Sequence, residues 1–246
     1  MTAARARARL GVLVPFTNTN LEPDLAMMAP AGITLHAARL GGYDAEAIPD
    51  AAQMAGLGLS ELDEPLSLIA GVRPDIVIYG CTSATLTHGP AFDQALAARI
   101  EKTTGAATVT AAGAVVAALR RLGATRIAFA SPYVPAITAA AIAFLADCGV
   151  ETVARAEVLA TLDNEGQGAM TPDEVARLVL TADLATAQAL VLSCTDMRAA
   201  EVAARLEGET GLPVVTSNTA LLAEALARAG VPDPIRGFGR LLELPR

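Results

Sequence analysis

The stretch Asp75-Ile-Val-Ile-Tyr-Gly-Cys-Thr-Ser83 decides the fold of this chain, because a run of buried-strand residues stops there at a glycine, a cysteine and two hydroxyl residues. A second stretch, Ala189-Leu-Val-Leu-Ser-Cys-Thr-Asp196, has the same order of a short apolar strand, a small residue, cysteine and threonine. Short apolar runs of this kind are typical of fully buried strands. We therefore predict two similar strand ends, each carrying a cysteine.

The chain has three cysteines, and two of them, Cys81 and Cys194, occupy these matching positions. A free cysteine is often only a packing residue, and we assign that role to Cys148, which precedes a glycine at a predicted helix end. For the matched pair, the repeated surroundings favour a functional role. The prediction is that the two thiols face each other across one bound molecule.

The strand–loop pattern is repeated in the second half of the chain. Leu10–Val14 is an apolar run closed by Pro15, and Arg126–Ala130 is a similar run followed by Pro132. The number of residues from the proline to the next matched cysteine is nearly the same in both halves. Strands that alternate with helices indicate parallel sheets, in which ligands bind at the carboxyl ends of the strands.

Helices are predicted between these strands. Residues 51–70 read as one helix, and the spacing of Phe92, Leu96 and Ile100 indicates an amphipathic helix. The polar residues 162–166 are predicted to form a loop.

The fold class is therefore α/β with parallel sheets, and we divide the chain into two units. Residues 1–110 together with residues 215–246 form the first unit, and residues 111–214 form the second. A final strand near Leu212–Val215 and a helix near Ala220–Ala229 follow an already complete second unit, so we expect this tail to pack back on the first.

The composition excludes several classes of function. With a net charge of −8 and 3% aromatic residues, the chain suits neither nucleic acid nor a membrane surface as a partner. No long uncharged apolar run indicates a membrane helix. An odd number of cysteines does not suggest a disulfide framework, so we expect a reducing, cytoplasmic location.

Metal and nucleotide sites are not predicted either. His36 and His88 are the only histidines and have no spacing that suits zinc. The glycine pairs do not follow a strand as a dinucleotide motif requires, and there is no P-loop. We therefore expect no metal and no organic cofactor.

Two reactions are open to a pair of thiols at strand ends. One thiolate and one thiol on opposite sides of a carbon can remove a proton from one face and deliver one to the other. Alternatively, a thiolate can add to an activated double bond. Backbone N–H groups at the strand ends are expected to lower the thiol pKa values. With the hydroxyls of Thr82, Ser83 and Thr195, they are also expected to hold a carboxylate or an enolate.

The chain resembles the maleate isomerase branch of the aspartate/glutamate racemase superfamily, which also includes arylmalonate decarboxylases and ectoine-utilisation proteins. The resemblance runs from about Leu10 to Gly237-Phe-Gly-Arg-Leu241. It is carried by five motifs in order: Val14-Pro-Phe-Thr-Asn-Thr19, Gly80-Cys-Thr-Ser83, Ser131-Pro-Tyr133, Asp163-Asn164 and Ser193-Cys194.

This resemblance implies two pseudo-symmetric, Rossmann-like domains with the active site in the cleft between them and no cofactor. It implies that Cys81 attacks maleate to give a succinyl-cysteine intermediate, while Cys194 exchanges the proton. Asn18, Tyr133 and Asn164 match the residues that hold the carboxylates. A homodimer or higher homo-oligomer acting on a small dicarboxylate is expected.

The chain departs from the family pattern at several positions. Phe16-Thr17 stands where two serines are usual, and residues 195–198 resemble the ectoine-utilisation branch more closely. Arylmalonate decarboxylases keep only the second cysteine, so Cys81 argues against decarboxylation. Maleate cis-trans isomerisation is the first expectation. An amino-acid racemase, an ectoine-utilisation protein, an arylmalonate-type decarboxylase and a non-catalytic anion sensor are the alternatives.

Overall fold

Eight strands form two parallel sheets in the part of the chain that the computed structural model describes, which is residues 7–42, 44–60 and 62–246. The strands are β1 (Ala8–Pro15), β2 (Ile33–Leu40), β3 (Ile76–Tyr79), β4 (Ala107–Thr110), β5 (Arg126–Ser131), β6 (Glu151–Glu157), β7 (Ala189–Leu192) and β8 (Val214–Thr216). The strand order is β2-β1-β3-β4 in the first sheet and β6-β5-β7-β8 in the second, and neighbouring strands are parallel.

Helices connect the strands and pack against the sheets. They are α1 (Leu21–Met28), α2 (Ala51–Leu59), α3 (Asp63–Ala70), α4 (Thr82–Leu86), α5 (Pro90–Thr104), α6 (Ala111–Leu122), α7 (Pro135–Asp147), α8 (Asn164–Ala169), α9 (Pro172–Val179), α10 (Ala203–Thr210), α11 (Ser217–Arg228) and α12 (Arg240–Glu243), with one 3-10 turn at Ala200–Val202. Within the described ranges, none of these helices has both the length and the apolar character needed to cross a membrane.

The predicted fold class is confirmed. Both sheets are parallel, and both have the same strand order, with the second strand at one edge and the fourth at the other. Alternate residues of the central strands face different cores, as the two-residue repeat of a strand requires. Ile76 and Ile78 of β3 belong to a core that both sheets share, whereas Val77 and Tyr79 pack in a separate core on the opposite face of the first sheet.

Two predicted elements are wrong in detail. The expected helix over residues 51–70 is divided into α2 and α3, because the chain is extended at Ser60 and Pro65 falls in the first turn of the new helix. There the missing N–H of proline costs nothing, whereas within a long helix it would break a hydrogen bond. Residues 162–166 are not all loop, because Asp163 caps α8 by accepting a hydrogen bond from the Gly166 N–H over 2.7 Å.

The tail adds a strand to the second sheet and packs a helix on the first. We expected it to pack on the first unit, but β8 pairs with β7 in the second sheet, because Leu190–Leu192 offers β8 a parallel edge. Helix α11 does reach the first sheet, where it packs against β3, β4 and α1. The division at residues 110 and 214 stays a prediction, and residues 1–6 of the first unit lie outside the described ranges.

Gly80 allows the first strand–cysteine junction to pack closely against its neighbours. A Cβ atom at this position would lie 2.2 Å from Leu21 Cδ2 and 3.0 Å from the Leu13 carbonyl oxygen. Both distances are shorter than ordinary van der Waals contact, and Leu21 is fully buried. Any side chain at position 80 would therefore displace α1 or the end of β3, which carries Cys81.

We expect Gly80→Ala to lower the free energy of unfolding by about 1–3 kcal/mol, because an added methyl group overpacks a closed core. Urea unfolding followed by circular dichroism measures this change. Gly56→Ala is the matched control: Gly56 lies exposed within α2 with open space around it, so alanine should stabilise the helix slightly. Equal stabilities for the two variants would contradict the close packing at Gly80.

Candidate active site

The strands that carry the two cysteines end at one cleft. Cys81 lies two residues after β3, and Cys194 lies two residues after β7. Both are free cysteines and are almost completely buried, with 5% and 7% of their surface exposed. The cavity at this point has a volume of about 40 Å³ and is lined by Pro15, Thr17, Asn18, Pro49, Met54, Leu57, Cys81, Thr82, Ser83, Tyr133, Ile137, Asn164, Gln167, Cys194, Thr195 and Asp196.

The turn that begins α4 surrounds the Cys81 thiol with donors. Its Sγ lies 3.6 Å from the Ser83 hydroxyl oxygen, and the backbone N–H groups of Ala84 and Ser83 also hydrogen-bond to it. These contacts favour the thiolate. Burial has the larger effect and raises the pKa of Cys81 above its ordinary value.

Cys194 lies next to the carboxylate of Asp196. The Asp196 backbone N–H donates to its Sγ over 3.4 Å, and Gln167 Oε1 lies 3.8 Å from the same sulfur as an acceptor. Burial, followed by the charge of the Asp196 carboxylate, raises the pKa of Cys194 to about 12. The expectation that backbone donors lower the thiol pKa values is therefore wrong, because desolvation outweighs the hydrogen bonds.

Tyr133 lies close to both thiols. Tyr133 is buried at the cleft wall, and negative charge on Cys194 or Cys81 would disfavour ionisation of its phenol. Burial raises the pKa of Tyr133 well above its ordinary value. The phenol therefore stays neutral and can donate a hydrogen bond to an anion in the cleft.

Asn18 and Thr195 join the two halves behind the thiols. Asn18 Nδ2 donates to the Thr195 hydroxyl over 3.0 Å, and that hydroxyl donates to the Gly80 carbonyl over 2.9 Å. Asn18 Oδ1 accepts hydrogen bonds from the backbone N–H groups of Asn20 and Leu21, at the start of α1. Its carboxamide is therefore held rigidly, with Nδ2 toward the second half.

The remaining predicted residues also lie along this cleft. Asn164 Oδ1 lies 3.4 Å from the Thr17 hydroxyl, and Asn164 Nδ2 donates to the Ala45 carbonyl over 3.0 Å. Ser83 donates to Met54 Sδ over 3.0 Å. Because a thioether is a weak acceptor, the Ser83 hydroxyl can turn to a bound anion at little cost. Thr82 donates to Ser217 Oγ over 2.8 Å.

Sequence reasoning did not assign several residues that line the cleft, and three of them contact the thiols or the residues around them: Met54, Gln167 and Asp196. Gln167 and Met54 carry no motif of their own and come from helices distant in sequence from both cysteines. The signal for Asp196 was its place directly after Thr195, where the chain departs from its family pattern.

The charge of this cleft is unusual for an anion site. Among its described lining residues there is no lysine, arginine or histidine, and Asp196 is the single carboxylate. An anion bound here would be held by neutral N–H and O–H dipoles. The described residues also contain no group of three or more His, Cys, Asp or Glu side chains placed to hold a metal ion.

The fold and the site together define this chain as an α/β protein with two parallel sheets of the same strand order. Strand ends of the two sheets bring a pair of cysteines to one pocket. The model of the arylmalonate decarboxylase family matches residues 10–242, and the chain belongs to this family.

Individual relatives span almost the whole chain. The maleate isomerase of Geobacillus stearothermophilus is 27% identical, with 95% of this chain and 96% of the relative covered. The arylmalonate decarboxylase of Bordetella bronchiseptica is 29% identical, with 94% and 92% covered. A solved structure of a Nocardia farcinica maleate cis-trans isomerase variant, in which a serine replaces a cysteine, holds a covalently bound succinylcysteine intermediate. It has a TM-score of 0.87 and 25% identity, with 96% of this chain and 98% of that chain covered.

We expect Cys81 and Cys194 to react with iodoacetamide at pH 7 more slowly than glutathione does, because burial raises both pKa values and only the thiolate is alkylated. Each rate should increase about tenfold per pH unit up to the thiol pKa. Peptide mass spectrometry after timed labelling from pH 7 to pH 10 measures both rates, with the urea-unfolded protein as the control. Labelling of Cys81 at pH 7 faster than glutathione would contradict this assignment.

Proposed function

We propose that this protein is a cofactor-independent isomerase of a small dicarboxylate, and that it converts maleate to fumarate. The observation that carries the proposal is the pair of buried, free cysteines at equivalent strand ends beside one cavity. The maleate isomerase relatives and the succinylcysteine intermediate in one of them support the same chemistry.

Cys81 is proposed as the nucleophile. Cys81 first loses its proton to solvent. Its thiolate then adds to one alkene carbon of maleate, forming a C–S bond, and the π electrons move to the neighbouring carbon. Cys194 donates its proton to that carbon, which gives a succinyl thioether and leaves Cys194 as thiolate. After rotation about the central carbon–carbon bond, now single, the Cys194 thiolate takes a proton from the carbon that it protonated, and the C–S bond breaks with Cys81 leaving as thiolate. Fumarate is released, and Cys81 regains its proton from solvent, so that both thiols return to their starting states.

The carboxylates are proposed to be held by neutral donors. Asn18, Tyr133 and Asn164 are assigned to the carboxylates by family resemblance, and the Ser83 hydroxyl can turn to them from its weak thioether acceptor. The hydroxyls of Thr82 and Thr195 donate to Ser217 Oγ and the Gly80 carbonyl, so their proposed part is to fix the turns after β3 and β7 around the substrate. Dipoles fixed in a buried site stabilise developing negative charge without reorganising. The enediolate formed during addition is the species that would gain most.

Proton NMR tests the substrate directly. Purified protein incubated with maleate should convert it to fumarate, seen as the loss of one vinyl singlet and the growth of another. A parallel sample with L-aspartate in D₂O tests the racemase alternative through exchange of the α proton. Exchange of aspartate without conversion of maleate would replace the isomerase proposal with a racemase.

Decarboxylation is the second candidate, because the family model describes arylmalonate decarboxylases. Phenylmalonate should not be decarboxylated at a rate comparable with maleate turnover, since Cys81 occupies the position that is small in those enzymes. Release of carbon dioxide from phenylmalonate, measured with a coupled assay, would favour this candidate instead. The homo-oligomeric state and the cytoplasmic location stay predictions.

We expect Cys81→Ser and Cys194→Ser each to lower kcat/KM for maleate by at least about 10²-fold, because a hydroxyl is a much weaker nucleophile and acid at neutral pH. The two variants should differ in mass spectrometry, since Cys194→Ser can accumulate a succinyl adduct on Cys81. Cys148→Ser, which changes a thiol outside the cleft, is the matched control and should retain activity. Near-normal turnover in either cleft variant would remove the role assigned to that cysteine.

A further inference from the structure

Asp196 attaches the loop after β1 to the second half of the protein. Its Oδ1 accepts hydrogen bonds from the backbone N–H groups of Thr19 and Asn20, over 2.8 Å and 3.0 Å, and from Asn20 Nδ2 over 3.1 Å. Its carbonyl oxygen accepts a further bond from Asn20 Nδ2 over 2.7 Å. These bonds cross between sequence-distant elements, so they fix residues 17–20, including Asn18, against the Cys194 turn.

The same contacts favour a negative charge in the cleft. Asp196 is 8% exposed, and three N–H donors converge on one of its oxygens. Burial raises the pKa of Asp196 above its ordinary value, and the N–H donors act in the opposite direction by stabilising the carboxylate. Since no lysine, arginine or histidine is among the described lining residues, no cationic side chain of the cleft wall neutralises the charge.

The carboxylate acts unequally on the two thiols. Asp196 is two residues from Cys194 and contacts its sulfur through the backbone N–H. At Cys194 its charge is the largest influence after burial, whereas at Cys81 the hydrogen bonds from Ala84 and Ser83 have larger effects than its charge. Tyr133, which stays neutral, is the other titratable group that interacts with both thiols. Asp24 on α1 interacts with Asp196, whose negative charge helps to raise the pKa of Asp24.

We propose that Asp196 is a positioning residue that separates the roles of the two thiols, because its negative charge keeps Cys194 protonated while Cys81 is the first to ionise. The inference rests on the proposed two-thiol function and extends it to a residue that touches neither reacting carbon. The two side chains are chemically the same, so their different roles as acid and nucleophile come from the nearby charge of Asp196.

The test measures the reactivity of Cys194 alone. In a Cys81→Ser/Cys148→Ser background, Cys194 is the only thiol, and its iodoacetamide labelling at pH 8 reports its thiolate fraction. Asp196→Asn removes the charge and keeps an oxygen for the loop donors, so labelling should become about tenfold faster, equivalent to a pKa lower by about one unit. Asp196→Ser gives a second neutral variant and should act in the same direction.

Two controls separate charge from loosened packing. Asp196→Glu keeps the charge and should label as slowly as the parent. Asp93→Asn changes a carboxyl of similar burial that lies outside the cleft, and it should change the rate less than twofold. Labelling of Asp196→Asn within twofold of the parent, or of Asp196→Glu as fast as Asp196→Asn, would overturn the proposal. The assay uses no substrate, so a failure to isomerise maleate would leave its outcome unaffected.

Discussion

The Thr195 hydroxyl makes the contact on which the rest of the site depends. It accepts from Asn18 and donates to the Gly80 carbonyl, so it joins the turns that follow β1, β3 and β7. The group is buried, and both of its hydrogen-bonding functions are satisfied. A buried polar group that loses its partner costs more than the bond contributes when formed. Gly80 directly precedes Cys81, and Thr195 directly follows Cys194. The hydrogen bond between them therefore fixes the relative position of the two cysteines and tolerates little change.

The electrostatics of the cleft follow from burial without a cation. The pKa values of both thiols are raised, and Tyr133 remains a neutral phenol. The carboxylate of Asp196 accepts hydrogen bonds from amide N–H groups. Both thiols and the phenol are therefore protonated at rest. The thiolates that the proposed reaction needs form only when a substrate is bound. Fixed dipoles suit this use, because they stabilise developing negative charge without having to reorganise during the reaction.

Local sequence predicted the features that are encoded locally. The repeated apolar run before each cysteine and the helical spacing from Phe92 to Ile100 have counterparts in β3, β7 and α5. Strand β4 was missed because Ala107-Thr-Val-Thr110 has one large apolar side chain, and its burial comes from neighbours. Gln167 and Met54 reach the cleft by tertiary packing alone. The expectation of lowered thiol pKa values was wrong for a similar reason. Desolvation depends on every residue packed around the thiol, and a local motif does not show which residues these are.

The placement of α11 has a consequence for how the molecule is made. Asn218, on this helix, donates to Asp24 on α1 and to the Thr195 carbonyl, and the helix covers β3 and β4 of the first sheet. Residues 217–228 are synthesised more than a hundred residues after that sheet. The first half therefore leaves the ribosome with an apolar face exposed. Its core is complete only after α11 has been synthesised and has packed against β3 and β4. Nascent chains arrested before this point should engage chaperones, and the two halves cannot be separated into independent modules by a single cut.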